Sequence, residues 1–499
     1  MEKEEPGGRR FWAAARQFGA ISCFALLAAC AVGPDYQTPG LDLPAKWSNT
    51  TRQTPPAAPQ LADWWLKLGD PDLDLLIEEA VKGNLDVRTA KAKIREARAT
   101  YRQTGATLYP AVDGSGQAIR SKSASSGGSS SSVSNLFQAG LDASWELDLF
   151  GGNRRSVEAA RYGLDAADEE LRASLLTLIG DVADNYVQAR GYQARIALAQ
   201  STARSQRETA RLTKTKYDAG ATSAVDVANA EGQASSTEAN IPTLRTAYAE
   251  AVHRLSVLTG REPAALTKRL EKSRRIPKPA IRTAVGVPAH VLLARPDVRL
   301  AERQLAQATA KIGEAQAARY PAVSLTGSIA TSAVKPGDLA KNSSISWSFG
   351  PTLSVPIFNA GELAAAVDVS KAQRDQYFLA YKAAVLGALE DVENALVGLS
   401  QEGRRVKSLD ASVAAYKKAS DFSNSLYRSG EVSFLDVLDA ERSLYSAEDS
   451  RIQSRVQVVS YYIALNKALG GGWDGEVDSS TPEVADQNDG PRLALGKKK

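Results

Sequence analysis

The sequence predicts membrane-spanning β-strands joined to very long α-helices. Three observations carry this: apolar residues at every second position in two segments, long proline-free stretches rich in helix formers, and an internal duplication at constant spacing.

The strands come first. Phe137, Ala139, Leu141, Ala143, Trp145, Leu147 and Leu149 alternate with Gln138, Gly140, Asp142, Ser144, Glu146 and Asp148. The pattern returns 208 positions later, where Ile345, Trp347, Phe349, Leu353 and Val355 alternate with Ser346, Ser348, Gly350, Thr352 and Ser354. One greasy and one wet face suit a barrel wall with lipid outside and water inside. Strands are expected at about 136–149 and 344–356, with a third at about 322–332 (Val323, Leu325, Ile329) and a weaker, Gly-rich one at about 111–120. Pro351 predicts a bulge or bend. The Ser/Gly run Ser121–Ser134 and the segment Lys335–Ser343 read as loops at the barrel mouth. Four strands cannot close a membrane barrel, since the smallest carry eight. An open edge in lipid costs several kcal/mol per unsatisfied group. Copies must therefore combine; two give eight strands and three give twelve, and the pattern does not choose.

Proline placement sets the helices. None occurs between Pro110 and Pro242 or between Pro356 and Pro482. Asn153 to about Asp218 is rich in Ala, Leu, Arg, Glu and Gln, as is Gly361 to Ser429, and each would reach roughly 95–100 Å. Helices this long must share their apolar stripes as in a coiled coil, and alanine at many core positions allows close axes.

The duplication orders these elements. Asp86-Val87-Arg88 recurs as Asp297-Val298-Arg299 and Tyr109-Pro110-Ala111-Val112 as Tyr320-Pro321-Ala322-Val323, both 211 positions on. Tyr217, Gly220, Asp226-Val227 and Ala230-Glu231 recur as Tyr427, Gly430, Asp436-Val437 and Ala440-Glu441, 210 on. The copies are placed at 64–270 and 288–470, with a basic linker at 271–287 and a polar, disordered tail at 471–499.

At the N-terminus, Arg9, Arg10 and Arg16 precede the short apolar stretch Phe18–Ala29, which ends in Leu27-Ala28-Ala29-Cys30. Residues 1–29 read as a secretory signal whose end resembles a bacterial lipobox. Cys30 is then the first mature residue, carrying diacylglycerol and an N-acyl chain, at the head of a lipid-anchored segment 30–63. Ala31, where an Asp would mark inner-membrane retention, favours the outer membrane. Cys23 falls in the removed segment, so no disulfide is expected. His253 and His290 are isolated, which argues against a metal. A net charge of +4 on 499 residues does not point to nucleic acid. Gly114-Ser115-Gly116 lacks the rest of a dinucleotide loop, and no P-loop or catalytic constellation is present, so neither an enzyme nor a bound cofactor is expected.

With the Cys30–Tyr36 start, the duplicated unit, the Tyr-Pro strand entries and the run Leu435–Leu444, the chain resembles the TolC-like outer-membrane efflux factors, in their lipoprotein branch. The resemblance implies a homotrimer with a twelve-stranded barrel in outer-membrane lipid and a periplasmic tunnel of twelve helices, closed at its far end. It implies two further partners, a periplasmic adaptor and an inner-membrane transporter of the resistance-nodulation-division type. The expected function is passive export of small drugs and amphiphiles; a type I protein-secretion duct and a pore-free coiled-coil spacer are the alternatives.

The helix ends read as follows. Gly220 and Gly430 each close a long helix, and Ser223 and Ser433 start the next. By resemblance these tips dock the adaptor. Asp436 and Asp439 share one helix face. The resemblance places them as a carboxylate ring at the closed pore, where mutual repulsion would raise some pKa values; the alternative is a solvated face. It also assigns Asp226 and Tyr427 to an inter-helix hydrogen bond that holds the gate. Val432 stands where some relatives carry an arginine in that tie, so hydrophobic or adaptor-controlled closure is the expected substitute.

Overall fold

Two copies of one order, short helix, two strands, long helix and medium helix, run through the computed structural model. It describes residues 31–41, 43–44, 47–48, 62–123, 132–279 and 295–484. Helices α1 (Pro71–Gly83) and α2 (Leu85–Ala106) lead to β1 (Ala111–Ser123), β2 (Ser132–Glu146), α3 (Gly152–Asp218) and α4 (Ala224–Leu258). After the one-turn α5 (Thr267–Leu270) come α6 (Pro296–Ala317), β3 (Ala322–Ala333), β4 (Ile345–Ser354), α7 (Glu362–Ser429) and α8 (Phe434–Ala468). Corresponding helices nearly match in length: 22 and 22 residues for α2 and α6, 67 and 68 for α3 and α7, 35 and 35 for α4 and α8. The 67-residue α3 spans roughly 100 Å. Among the described residues no helix is long and apolar enough to cross a membrane. The expected signal 1–29, the expected anchor Cys30, His290 and the tail end 485–499 lie outside the described residues.

The chain divides into two units. The first holds the sheet, an antiparallel meander in the order β1-β2-β3-β4 with β1 and β4 as free edges. Its register puts Phe137 between Ala118 and Ala333, and Leu141 between Gly114 and Ile329. Because side chains alternate along each strand, one face carries Phe137, Leu141, Trp145, Leu325, Ile329, Trp347, Phe349 and Leu353. The other face is polar: Gln117 donates to Gln138 at 2.7 Å, and Ser328 and Ser348 share a hydrogen bond of 2.8 Å. At the end of the sheet, Trp145 donates to the Leu108 carbonyl at 3.0 Å, and Phe150 stacks on Tyr320 with centroids 4.7 Å apart.

Several strand limits differ from expectation. β2 ends at Glu146 although the alternation runs on to Leu149. Asp148 turns the chain instead, accepting from the backbone N–H groups of Asn153 and Arg154 at 3.0 and 2.9 Å, and Gly151 follows at φ +80°. A capping carboxylate thus ends the strand while the apolar period continues. β1 is longer than its Gly content suggested, because each residue from Ala111 to Ser123 pairs with β2. Pro351 makes no bulge: β4 pairs with β3 without interruption, Pro351 opposite Leu325. β4 is an edge strand, where a missing N–H is tolerated when it points away from the neighbour.

The segment after the proposed anchor is fastened to this unit. The Val32 N–H donates to the Phe150 carbonyl at 3.0 Å. Arg155, almost fully buried, donates to the carbonyls of Val32 and Gly33 and pairs with Asp35 and Glu158, each at 2.7 Å.

The second unit is helical. Small residues set its packing: Ala183, Ala199 and Ala234 are fully buried. A Cβ on Gly191 would come within 2.5 Å of Val456, and one on Gly398 within 2.3 Å of Tyr461. Close approach of backbones is what alanine and glycine permit. Buried Arg190 donates to Gln193, to the carbonyl of Lys272 and to the hydroxyl of Tyr186, which in turn donates to Asp70 at 2.6 Å. Residues 471–484, expected to lack structure, pack back on this unit. Trp473 stacks on Trp65, Gly471 accepts from Trp64, and Arg88 pairs with Glu483. Aromatic area outweighs the local Gly/Asp content here.

Candidate functional site

The two helix-turn-helix tips are built alike. At the first, Gly220 adopts φ +73° and donates to the Tyr217 carbonyl at 2.8 Å, while Ala221 reaches back to Lys216 at 2.7 Å. At the second, Gly430 adopts φ +87° and donates to Tyr427 at 3.2 Å, and Glu431 reaches back to Leu426 at 2.9 Å. These paired bonds satisfy the last carbonyls of α3 and α7, and the left-handed conformation favours glycine. The next helix begins two residues later with a capping box. Ser223 exchanges hydrogen bonds with Asp226, and the Ser433 backbone and hydroxyl both donate to Asp436, at 3.0 and 2.6 Å.

These caps decide where the expected gate carboxylates lie. Asp226 accepts from the hydroxyls of Thr222 and Ser223, which hold its carboxyl below the usual range. Within the single chain, Asp436 is held low in the same way by Ser433. Asp439 is exposed one turn further on. Tyr427, only 4% exposed, does not bond Asp226; its hydroxyl donates to Thr213 at 3.1 Å. The structure therefore brings Asp226 to Ser223 and Asp436 to Ser433, and leaves Tyr427 and Asp226 with separate partners.

Tyr427 is instead the centre of an apolar plug between the ends of α3, α4, α7 and α8, with Ala210, Ala230, Phe434, Val437 and Leu438 buried around it. Val432 packs against the same cluster. The Lys216 ammonium sits 4.3 Å above the Tyr427 ring and donates to the Tyr427 carbonyl. Further along, Glu441 accepts from Thr209 and Asn424 at 3.2 and 3.4 Å, and burial pushes its carboxyl up. Arg195 makes a two-point pair with Asp449, at 2.7 and 3.1 Å. Sequence reasoning gave no role to Thr213, Lys216, Phe434 or Glu441. One signal was present: Lys216 corresponds to Leu426 in the second copy, so the repeats already differ at the tie.

Among the described residues no group of His, Cys, Asp and Glu could hold a metal ion. Cys30, expected to carry the lipid, lies outside the described residues, two positions before Val32, whose N–H is fixed.

Comparison with known proteins accounts for this arrangement. A family model described as outer membrane efflux protein matches residues 76–261 and 287–471, one match for each copy. The chain is 37% identical over 449 residues to Nodulation protein T of Rhizobium leguminosarum bv. trifolii, covering 90% of this chain and 96% of that one. It is 33% identical over 470 residues to the solvent efflux pump outer membrane protein SrpC of Pseudomonas putida, covering 92% and 99%. Among solved structures it is similar to the outer-membrane channel OprN (TM-score 0.81, 34% identity, 89% of this chain and 100% of that one). It is also similar to the open state of the Neisseria gonorrhoeae MtrE outer membrane channel (TM-score 0.78, 32% identity, 89% and 98%). A period-2 sheet with two free edges, long paired helices and matching repeats all agree with these relatives: the chain belongs to the outer membrane efflux protein family and is an outer-membrane efflux channel, not an enzyme.

Proposed function

We propose that three copies of this chain close one twelve-stranded barrel and one tunnel of twelve helices, the passive outer-membrane section of a tripartite pump that exports small drugs and amphiphiles. The observation that carries this reading is the open sheet. Its apolar face suits lipid, yet β1 and β4 leave unpaired edges that a bilayer cannot tolerate. Equivalent copies side by side remove both edges. The relatives' names span solvents, cations and pyoverdine, which fits a duct whose selectivity resides in the attached transporter.

The adaptor meets the exposed tip residues Gly220, Ser223, Gly430 and Ser433, and the transporter of the resistance-nodulation-division type supplies the energy. Asp436 and Asp439 face the narrow end, and the plug around Tyr427 ties it shut. Cys30 carries the lipid, a reading supported by the fastening of Val32 at the end of the sheet. The test is reconstitution. Detergent-extracted protein should have the mass of three chains, conduct ions in a planar bilayer, and crosslink to an adaptor through Ser223→Cys or Ser433→Cys. A non-conducting single chain would overturn the reading, and export of a polypeptide in place of amphiphiles would reassign it to protein secretion.

A further inference from the structure

Charge is sorted by face across the four strands. β1 carries Asp113, Arg120 and Lys122, β2 carries Asp142 and Glu146, and β3 and β4 carry no charged residue. Asp113 lies opposite Asp142 in the ladder, and Glu146 follows Asp142 at even spacing, so all three acids share the polar face with Gln117 and Gln138. Arg120 and Lys122 follow Gly114, Gly116 and Ala118 at even spacing, opposite Asn135 and Val133. Both bases therefore stand on the face that carries Phe137, Leu141 and Ile329.

Their height in the sheet decides what surrounds them. On the apolar face β3 runs from Val323 to Ala333 without a charge, roughly 33 Å along the strand, which at the tilt of a membrane barrel stands about 25 Å tall. That is the height of the hydrocarbon band. Phe137 lies between Ala118 and Ala333 in the last apolar row. Arg120 is one ladder step past this row and Lys122 two, about 5 and 10 Å beyond the band. The long helices join the opposite end of the sheet and extend into the periplasm, so this end meets the outer leaflet.

We propose that Arg120 and Lys122 form a binding site for the phosphate groups of outer-leaflet lipid, the phosphorylated glucosamine headgroups of lipid A. This rests on the reading above that the apolar face meets lipid, and adds what the outer rim of that face recognises.

A base in mid-membrane is costly, but at the boundary its stem lies along apolar surface while the cation reaches the headgroups. The Arg120 guanidinium can take two oxygens of one phosphate, and Lys122 adds a compact charge two residues on, on the same side. Acids do not compete for them. The three strand carboxylates are on the other face, the connection Ala124–Ser131 contains no charged residue, and Asp338 of the β3–β4 connection is paired with Lys341 at 2.7 Å. Among the described residues neither Arg120 nor Lys122 makes an ion pair, and both are exposed.

The experiment uses the full-length oligomer in detergent, incubated with diphosphoryl lipid A, with bound lipid counted by native mass spectrometry. Each base near an anionic lipid surface gives roughly a fivefold gain in affinity, so Arg120→Gln combined with Lys122→Gln should weaken binding about 25-fold. Lipid A stripped of both phosphates should bind the unaltered protein as weakly. Asp113→Asn, on the polar face, should leave binding unchanged. Excess inorganic phosphate should displace the lipid only in part, because the acyl chains also hold the apolar face; complete displacement would make this a site for free phosphate and overturn the lipid assignment. Equal retention of the two lipid A forms, or undiminished binding by the doubly substituted protein, overturns the site, and conductance in the same preparation leaves the channel reading intact. A conductance change without a change in lipid binding would put both bases in the lumen and overturn the site as well. Unaltered protein that neither assembles nor conducts overturns both readings.

Discussion

The hydroxyl of Tyr427 donates to the hydroxyl of Thr213 at 3.1 Å, across 214 residues of sequence, and the Thr213 hydroxyl in turn donates to the Thr209 carbonyl at 2.9 Å. This chain joins the end of α7 to the end of α3. Tyr217, the counterpart of Tyr427 in the first copy, is 46% exposed. Only one of two near-identical tips is therefore held by its tyrosine.

Removing that hydroxyl should loosen the tie without emptying the plug. Tyr427→Phe keeps the ring under Lys216 and deletes one buried hydrogen bond, at a cost of about 1 kcal/mol. Amide exchange in the last turn of α7 should quicken about fivefold, and single-channel recordings should show more frequent opening. Exchange that stays at the original rate would mean that the bond holds nothing.

Lys216→Met removes the cation over the ring and should cost about 0.5–1 kcal/mol. The loss should diminish in the Tyr427→Ala background, because the two changes delete one contact. Chemical denaturation of the four variants checks it; strict additivity would place the lysine in solvent.

Glu441 and Asp226 should bend the pH dependence in opposite directions. Burial raises the Glu441 carboxyl, so its stabilising contribution is full below about pH 4.5 and is lost as pH rises through the folded value. Hydrogen bonds from Thr222 and Ser223 lower Asp226, so its contribution is present above about pH 3.8 and is lost as pH falls through the folded value. Glu441→Gln should flatten the decline on the neutral side, and Asp226→Asn the decline on the acid side. Thermal melts across pH 3–8 decide; a Glu441→Gln profile parallel to the wild type would refute the assignment.

Faces of β4 should differ sharply in tolerance. Phe349→Arg puts a charge in mid-strand on the apolar face, at about 2–4 kcal/mol, and should reduce outer-membrane assembly. Ser348→Arg, one residue away on the polar face, should assemble and alter conductance. Equal assembly of the two would argue against lipid contact.

Much of this was legible because periodicity is a local property. The alternation of Phe137 to Trp145 and the proline-free stretches gave strands and helices of nearly the right length. The strand end at Glu146 was misread because Leu147 and Leu149 keep the apolar period while Asp148 has already become a cap. Pro351 looked like a defect until the sheet order showed it on an edge. The tie was the least legible part. Thr213 and Lys216 act on a residue more than two hundred positions away, and no local pattern encodes that partner. Ser223 was readable as a helix start because its partner Asp226 lies only three residues on, although Asp226 itself was assigned to the gate.

Arg155 holds Val32, Gly33 and Asp35 against the start of α3, which leaves only Ala31 between Cys30 and a fixed backbone N–H. The acyl chain proposed for Cys30 would have about 7 Å of slack there. It could not roam as a leash; it would act as a depth gauge, setting how far the sheet sinks into the leaflet before the first helical turn emerges.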